Sequence, residues 1–137
     1  MILASLVLPG VVHGCSSPTE PPAPPSGGQQ VVLSYALFQS SVEPVITRHG
    51  CDAEGDCHGG GIRGTLELSP PGAKNAQFDY NQLSLQVWAT ALESSPILTE
   101  PLAIAAGGTP HQFKPFATKS DSDWVALHAW VTSEETP

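Results

Sequence analysis

The stretch Cys51-Asp52-Ala53-Glu54-Gly55-Asp56-Cys57-His58-Gly59-Gly60 decides how the chain reads. Two thiols stand before an imidazole, and glycines follow it. The closing Cys-His pair is what covalent haem attachment needs. A cysteine sulfur adds to a vinyl group of the haem, and the imidazole of the next residue falls under the ring as an axial iron ligand. Five residues separate Cys51 from Cys57, whereas the usual attachment motif has two. Only one Cys-His pair occurs, so at most one haem c is expected.

Upstream of this stretch the chain changes character twice. Met1–Val12 is almost wholly apolar but too short to span a bilayer, and reads as the apolar core of an export signal. Val12-His13-Gly14-Cys15 resembles the bacterial lipobox, in which the cysteine becomes lipidated and N-terminal after cleavage. From Ser16 to Gln30 no large apolar residue occurs, so this segment builds no core and reads as a semi-rigid tether. The expected order is a signal peptide over 1–14, a Pro/Ser/Gly-rich tether over 15–30 and one domain over 31–137. Lipid on Cys15 leaves Cys51 and Cys57 as a pair, consistent with export to an oxidising compartment. Thirteen acidic against five basic residues give a net charge of −8. That excludes a nucleic-acid-binding role, which needs a cationic surface, and suits basic protein partners.

Fourteen prolines and thirteen glycines divide the domain into short elements. In Val31–His49 the apolar residues Leu37, Phe38, Val42, Val45 and Ile46 fit an amphipathic helix or two short turns. Pro44 starts a new helix there, with Ser41 as its cap. Gly59–Gly64 reads as a loop in which glycines let backbone approach a flat ring. Thr65–Leu68 reads as a short extended piece, and Ser69–Gly72 as a turn. Asp79 caps an expected helix over Tyr80–Ala91 with Leu83, Val87 and Trp88 on one side. Ser95-Pro96 opens another helix, and Ala105–Pro110 is a loop leading to His111. Ser120-Asp121-Ser122-Asp123 supplies caps and first-turn negative charge to a last helix. Trp124, Leu127, Trp130 and Val131 form its apolar face, and it ends near Ser133–Glu135. Both Trp residues are expected in the core.

In order, Val42–Ile46, Cys57-His58-Gly59-Gly60, Gly64–Leu68, Ser95–Leu102, Gly107–His111 and Asp123–Val131 resemble the single-haem c-type cytochrome domains of exported planctomycete and myxobacterial proteins. The resemblance spans roughly Phe38 to Val131. It implies a mainly α, cytochrome c-like small helical domain around one haem, with long loops and little strand. The implied activity is electron transfer at the periplasmic face of a bacterial membrane, with redox proteins carrying a basic patch as partners and lipid as anchor. Cys51 and Cys57 carry over as thioether sites and His58 as proximal iron ligand. The only Met is Met1, in the signal, so a distal Met is excluded. His49 is close in sequence to Cys51, and His128 lies on the last helix. His111, in a Gly/Pro-flanked loop where the resembled domains also place a His, is the expected distal ligand. Two imidazoles imply a lower potential than Met ligation.

The same residues support other readings. Cys51 and Cys57 as a disulfide give a haem-free, lipid-anchored binding or structural module. Cys51, Cys57, His58 and His111 have the ligand types of a zinc site. Asp52, Glu54 and Asp56 alternate like a calcium loop, but the following positions are out of register, so they read as a solvated acidic bulge that could dock a basic partner. Arg63 either meets a haem propionate or is solvated. No nucleophile elbow occurs, so no catalytic residue is assigned; an enzyme reading requires an open iron site.

Overall fold

The computed structural model describes residues 31–133. The expected signal peptide, the expected tether and Cys15 lie outside the described residues, as do the last four residues of the expected domain. The described part is mainly helical without a sheet. None of its helices is long and apolar enough to cross a membrane.

The first helical run covers residues 35–48. It opens with α1 (Tyr35–Leu37), where Ser34 Oγ accepts from the Leu37 amide. It passes through a π-helical segment, Phe38–Val42, and continues as α2 (Glu43–Arg48). Pro44 therefore does not start a separate helix capped by Ser41. Proline lacks the amide an α-helix needs at that position, and the wider π turn just before it absorbs the mismatch. Of the apolar positions, Phe38, Val42, Val45 and Ile46 are buried as their spacing implies, while Leu37 is only partly buried.

The second half of the core comes from α5 (Ser122–Val131), capped by Asp121, whose carboxylate accepts from the Asp123 amide. Trp124, Leu127, Trp130 and Val131 are buried, and the helix ends at Val131, two residues before the expected stop. Trp130 packs 5.6 Å from Phe38, ring centroid to centroid, and 6.2 Å from Tyr80. Its indole N–H donates to the Ser34 carbonyl, and that of Trp124 to the Leu98 carbonyl. Each large ring is thus buried with its one polar group satisfied.

Two expectations for the middle of the chain are corrected. Helix α3 spans Ala76–Ser84, and its cap is Asn75, which accepts from the Phe78 amide. Asp79 sits inside the helix, 1 % exposed, and accepts from the Ser69 amide, the Ser69 hydroxyl and the Lys74 ammonium. A carboxylate with three local donors is held as a buried anchor rather than as a cap. The helix stops seven residues short of Ala91. Beyond it the Trp88 amide is taken by the Ser95 hydroxyl, and Trp88 is half exposed instead of facing the core. In the expected extended piece Thr65–Leu68, Thr65 lies in a turn and Leu66 forms an isolated β-bridge. Arg63 and Leu66 exchange amide–carbonyl bonds across a tight turn at Gly64 (φ +63°). Helix α4 (Pro96–Thr99) does begin at Ser95-Pro96, with Ile97 and Leu98 buried.

Candidate functional site

A cavity of about 770 Å³ opens into the core. Its apolar wall is made of core residues: Val45 and Ile46 from α2, Leu68, Leu83, Ile97, Phe116 and Leu127. Cys51, Cys57, His58 and His111 all line it. Its volume lies within the roughly 300–1,000 Å³ range of small-molecule and cofactor sites.

One rim is the cysteine loop. Gly50, at φ +67°, ends α2 and turns the chain, and the Cys51 amide donates to the Ile46 carbonyl. The loop closes on itself through His58 N–H to Cys51 O and Gly59 N–H to Ala53 O. The spacer is only partly a solvated bulge. Glu54, Gly55 and Asp56 are exposed, but Asp52 is wholly buried, contrary to expectation. Its carboxylate accepts from the Thr47 hydroxyl at 2.8 Å and the Lys74 ammonium at 3.1 Å, while Oδ1 has no partner among the described residues. Lys74 bridges Asp52 and Asp79. Burial alone would lower its pKa, but the hydrogen bonds from Asp79 and Asp52 outweigh that and raise it. Gly55 at φ +77° lets the extra residues loop out.

Gly59 and Gly60 answer to the chain's own backbone. A Cβ on Gly59 would lie 1.7 Å from the Asp52 carbonyl oxygen, and one on Gly60 would lie 2.9 Å from the Gly55 amide nitrogen. These glycines let the spacer fold tightly over the Cys-His pair.

Cys51 and Cys57 are half-buried free thiols; no disulfide joins them. Burial pushes the Cys51 thiol up to about 11, and the Asp52 carboxylate and Cys57 add to the shift. Arg63 donates to the Gly55 carbonyl and lies 3.8 Å from Asp56, an exposed ion pair on the rim.

His111 also lines the cavity. The Ala103 amide donates to Phe116 O and the Phe116 amide to Pro101 O, closing the base of the loop between them. The rings of His58 and His111 have centroids 6.2 Å apart and planes within 16° of parallel. His58 Nδ1 is 3.2 Å from the Leu66 carbonyl oxygen, and His111 Nδ1 is 2.7 Å from that of Phe113. A carbonyl only accepts, so each Nδ1 carries the proton and donates. His111 Nδ1 also lies 3.3 Å from the Phe113 amide, but the shorter carbonyl contact sets the tautomer. The Nε2 atom of each ring has no hydrogen-bond partner among the described residues. The two rings thus lie near each other in the cavity lining, each held by a backbone carbonyl at Nδ1.

The other histidines lie elsewhere. His49 Nε2 is 2.8 Å from Asp123, and His128 Nε2 is 2.5 Å from Glu93 with its ring on Trp124; neither lines the cavity. Among the described residues no three His, Cys, Asp or Glu side chains converge as a metal cage, which leaves the four-ligand zinc arrangement without support.

Asp52, Lys74, Asp79 and Ser69 brace the cysteine loop and its neighbours, and Lys114 donates to the backbone carbonyls of Glu100, Leu102 and Thr109 near His111; residue spacing does not reveal these contacts. Asp79 carried a polar signal that pointed to a helix cap instead. Lys114 carried none, because its partners are backbone carbonyls. No protein-family model, curated protein or solved structure matches the chain.

Proposed function

We propose that this domain is a c-type cytochrome that carries single electrons on one haem c, attached through Cys51 and Cys57 and ligated by His58 and His111. The observation that carries the reading is the pair of near-parallel imidazoles, ring centroids 6.2 Å apart, in the lining of a cavity that also holds both thiols. The donor set fits the group: two sulfurs suit two vinyl carbons, and two neutral imidazoles suit the two axial positions of a porphyrin iron. When bound, the haem supplies a one-electron couple at its iron.

The chain's own residues then have definite tasks. The Leu66 and Phe113 carbonyls hold the two imidazoles in the Nε2-ligating tautomer and raise their basicity. Val45, Ile46, Leu68, Leu83, Ile97, Phe116 and Leu127 exclude water from the site, which limits reorganisation when charge changes. The absence of a thioether ligand places the potential below that of Met-ligated relatives. Arg63 stands at the cavity rim within reach of a carboxylate there. With Cys15 as lipid anchor, the domain works on the periplasmic face of a bacterial membrane. There the net charge of −8, with Glu54 and Asp56 exposed beside the cysteine loop, favours partners with a basic docking patch.

The test is production with export in cells competent for cytochrome maturation. The expected product keeps its Soret band through acid-acetone extraction, and its haem peptide holds residues 51–58 with two thioether links. His111→Ala then converts a low-spin spectrum to high-spin; an unchanged spectrum removes His111 from the iron. A colourless product with no free thiols would instead establish the disulfide-stapled module.

A further inference from the structure

We propose that Lys114 is the positioning residue that keeps His111 on the iron, by locking the loop that carries it. This rests on the haem reading for its spectroscopic consequence, but the lock itself is a property of the protein alone. The Lys114 ammonium donates to three backbone carbonyls: Glu100 O at 3.0 Å, Leu102 O at 2.8 Å, and Thr109 O. An ammonium has three protons, so its donor capacity is filled by main chain. Two of the carbonyls belong to the segment just after α4, and the third lies two residues before His111. The lysine thus ties the His111 loop to the wall that supplies Ile97, Glu100 and Pro101 to the cavity.

Two further contacts make the loop fit only one way. Gly108 passes so close to that wall that a Cβ would lie 1.8 Å from Leu102 O and 2.9 Å from Thr99 O. The Gly108 and Thr109 amides donate to Ala103 O and Thr99 O at 3.0 and 2.9 Å. The loop is otherwise thinly held. His111 itself bonds only to Phe113 among the described residues, and Gln112 and Phe113 are exposed. A ligand on such a loop stays in place because the loop does, and Lys114 makes most of its charged ties.

Lys114→Met keeps the aliphatic stem and removes the three donors. In the holoprotein it is expected to give a mixed high-spin spectrum and ferrous carbon monoxide binding about tenfold or more above wild type, with haem stoichiometry unchanged. Added imidazole restores the low-spin spectrum. Gly108→Ala, which opens the same contact without touching the charge, gives the same phenotype. In haem-free protein the Gly108 and Thr109 amides of Lys114→Met exchange hydrogen about tenfold or more faster, while the α5 amides are unchanged. A Lys114→Met holoprotein as low-spin and carbon monoxide-inert as wild type overturns the proposal, as does unchanged exchange at those two amides. A wild type without covalent haem would instead overturn the cytochrome reading, while the exchange measurement still decides whether the lock exists.

Discussion

Individual side chains around the cysteine loop are held with little slack, and their chemistry yields measurable consequences. Gly59 is the sharpest case. Any side chain there meets the Asp52 carbonyl, which is fixed because Asp52 is itself anchored to Thr47 and Lys74. Gly59→Ala is expected to destabilise the domain by about 1–3 kcal/mol in urea unfolding, whereas Gly72→Ala, with open space around it, changes the midpoint little. The Cys51 thiol, pushed up to about 11 from an ordinary 9.0, is almost wholly protonated at neutral pH. In haem-free protein at pH 8, iodoacetamide should modify Cys51 roughly a hundredfold more slowly than an unperturbed thiol, as read by peptide mass spectrometry over time. Equal rates would show that the loop is open.

At the scale of elements, the helical run over residues 35–48 and α5 carry the fold, and the short segments between them carry the site. Trp130 joins the two long elements, with no exposed surface and its N–H on the Ser34 carbonyl. Trp130→Ala should cost about 3–5 kcal/mol, since it leaves a large void and removes one of the two donors to the Ser34 carbonyl. Trp88→Ala, at a half-exposed position, should stay within about 0.5 kcal/mol. Thermal melts of the pair check this contrast. The periodic apolar positions of both long elements were legible in the sequence because burying one face of a helix demands them. The end of α3 was not, because it depends on Ser95 claiming the Trp88 amide from seven residues away.

For the molecule as a whole, two ionic links tie distant parts together, and their signs set opposite limits on stability. Asp123 on α5 accepts from Arg48 and His49 at the end of α2. The Arg48 hydrogen bonds hold its pKa below the ordinary 3.8, against the opposing effect of burial. A depressed carboxylate contributes stability above the unfolded pKa and loses it as pH falls through the folded one. This contribution therefore disappears only below about pH 3.8. Lys74 has a raised pKa, so its contribution is complete below 10.5 and fades as pH rises through the higher folded value. Urea midpoints of Lys74→Met and wild type should therefore differ at pH 7 and converge above pH 10.5. A constant gap would mean that the lysine acts through its stem alone. Asp79→Ala removes a buried partner of Lys74 and should cost about 3–5 kcal/mol at pH 7.

What the amino-acid order determined by itself was local: the helix caps at Ser95-Pro96 and Ser120–Asp123, the apolar stripes, and the Cys-His pair. These follow from periodicity, capping and bond chemistry, which act over a few residues. Tertiary structure alone decided the rest. It buried Asp52 with Lys74 and Asp79, turned Gly59 toward a carbonyl, fastened Lys114 to three peptide groups, and brought His58 and His111 to 6.2 Å from positions 53 residues apart. Those outcomes depend on which backbone groups the folded chain leaves in need of a partner. A carbonyl carries no residue identity, so nothing in the letters of the chain announces it.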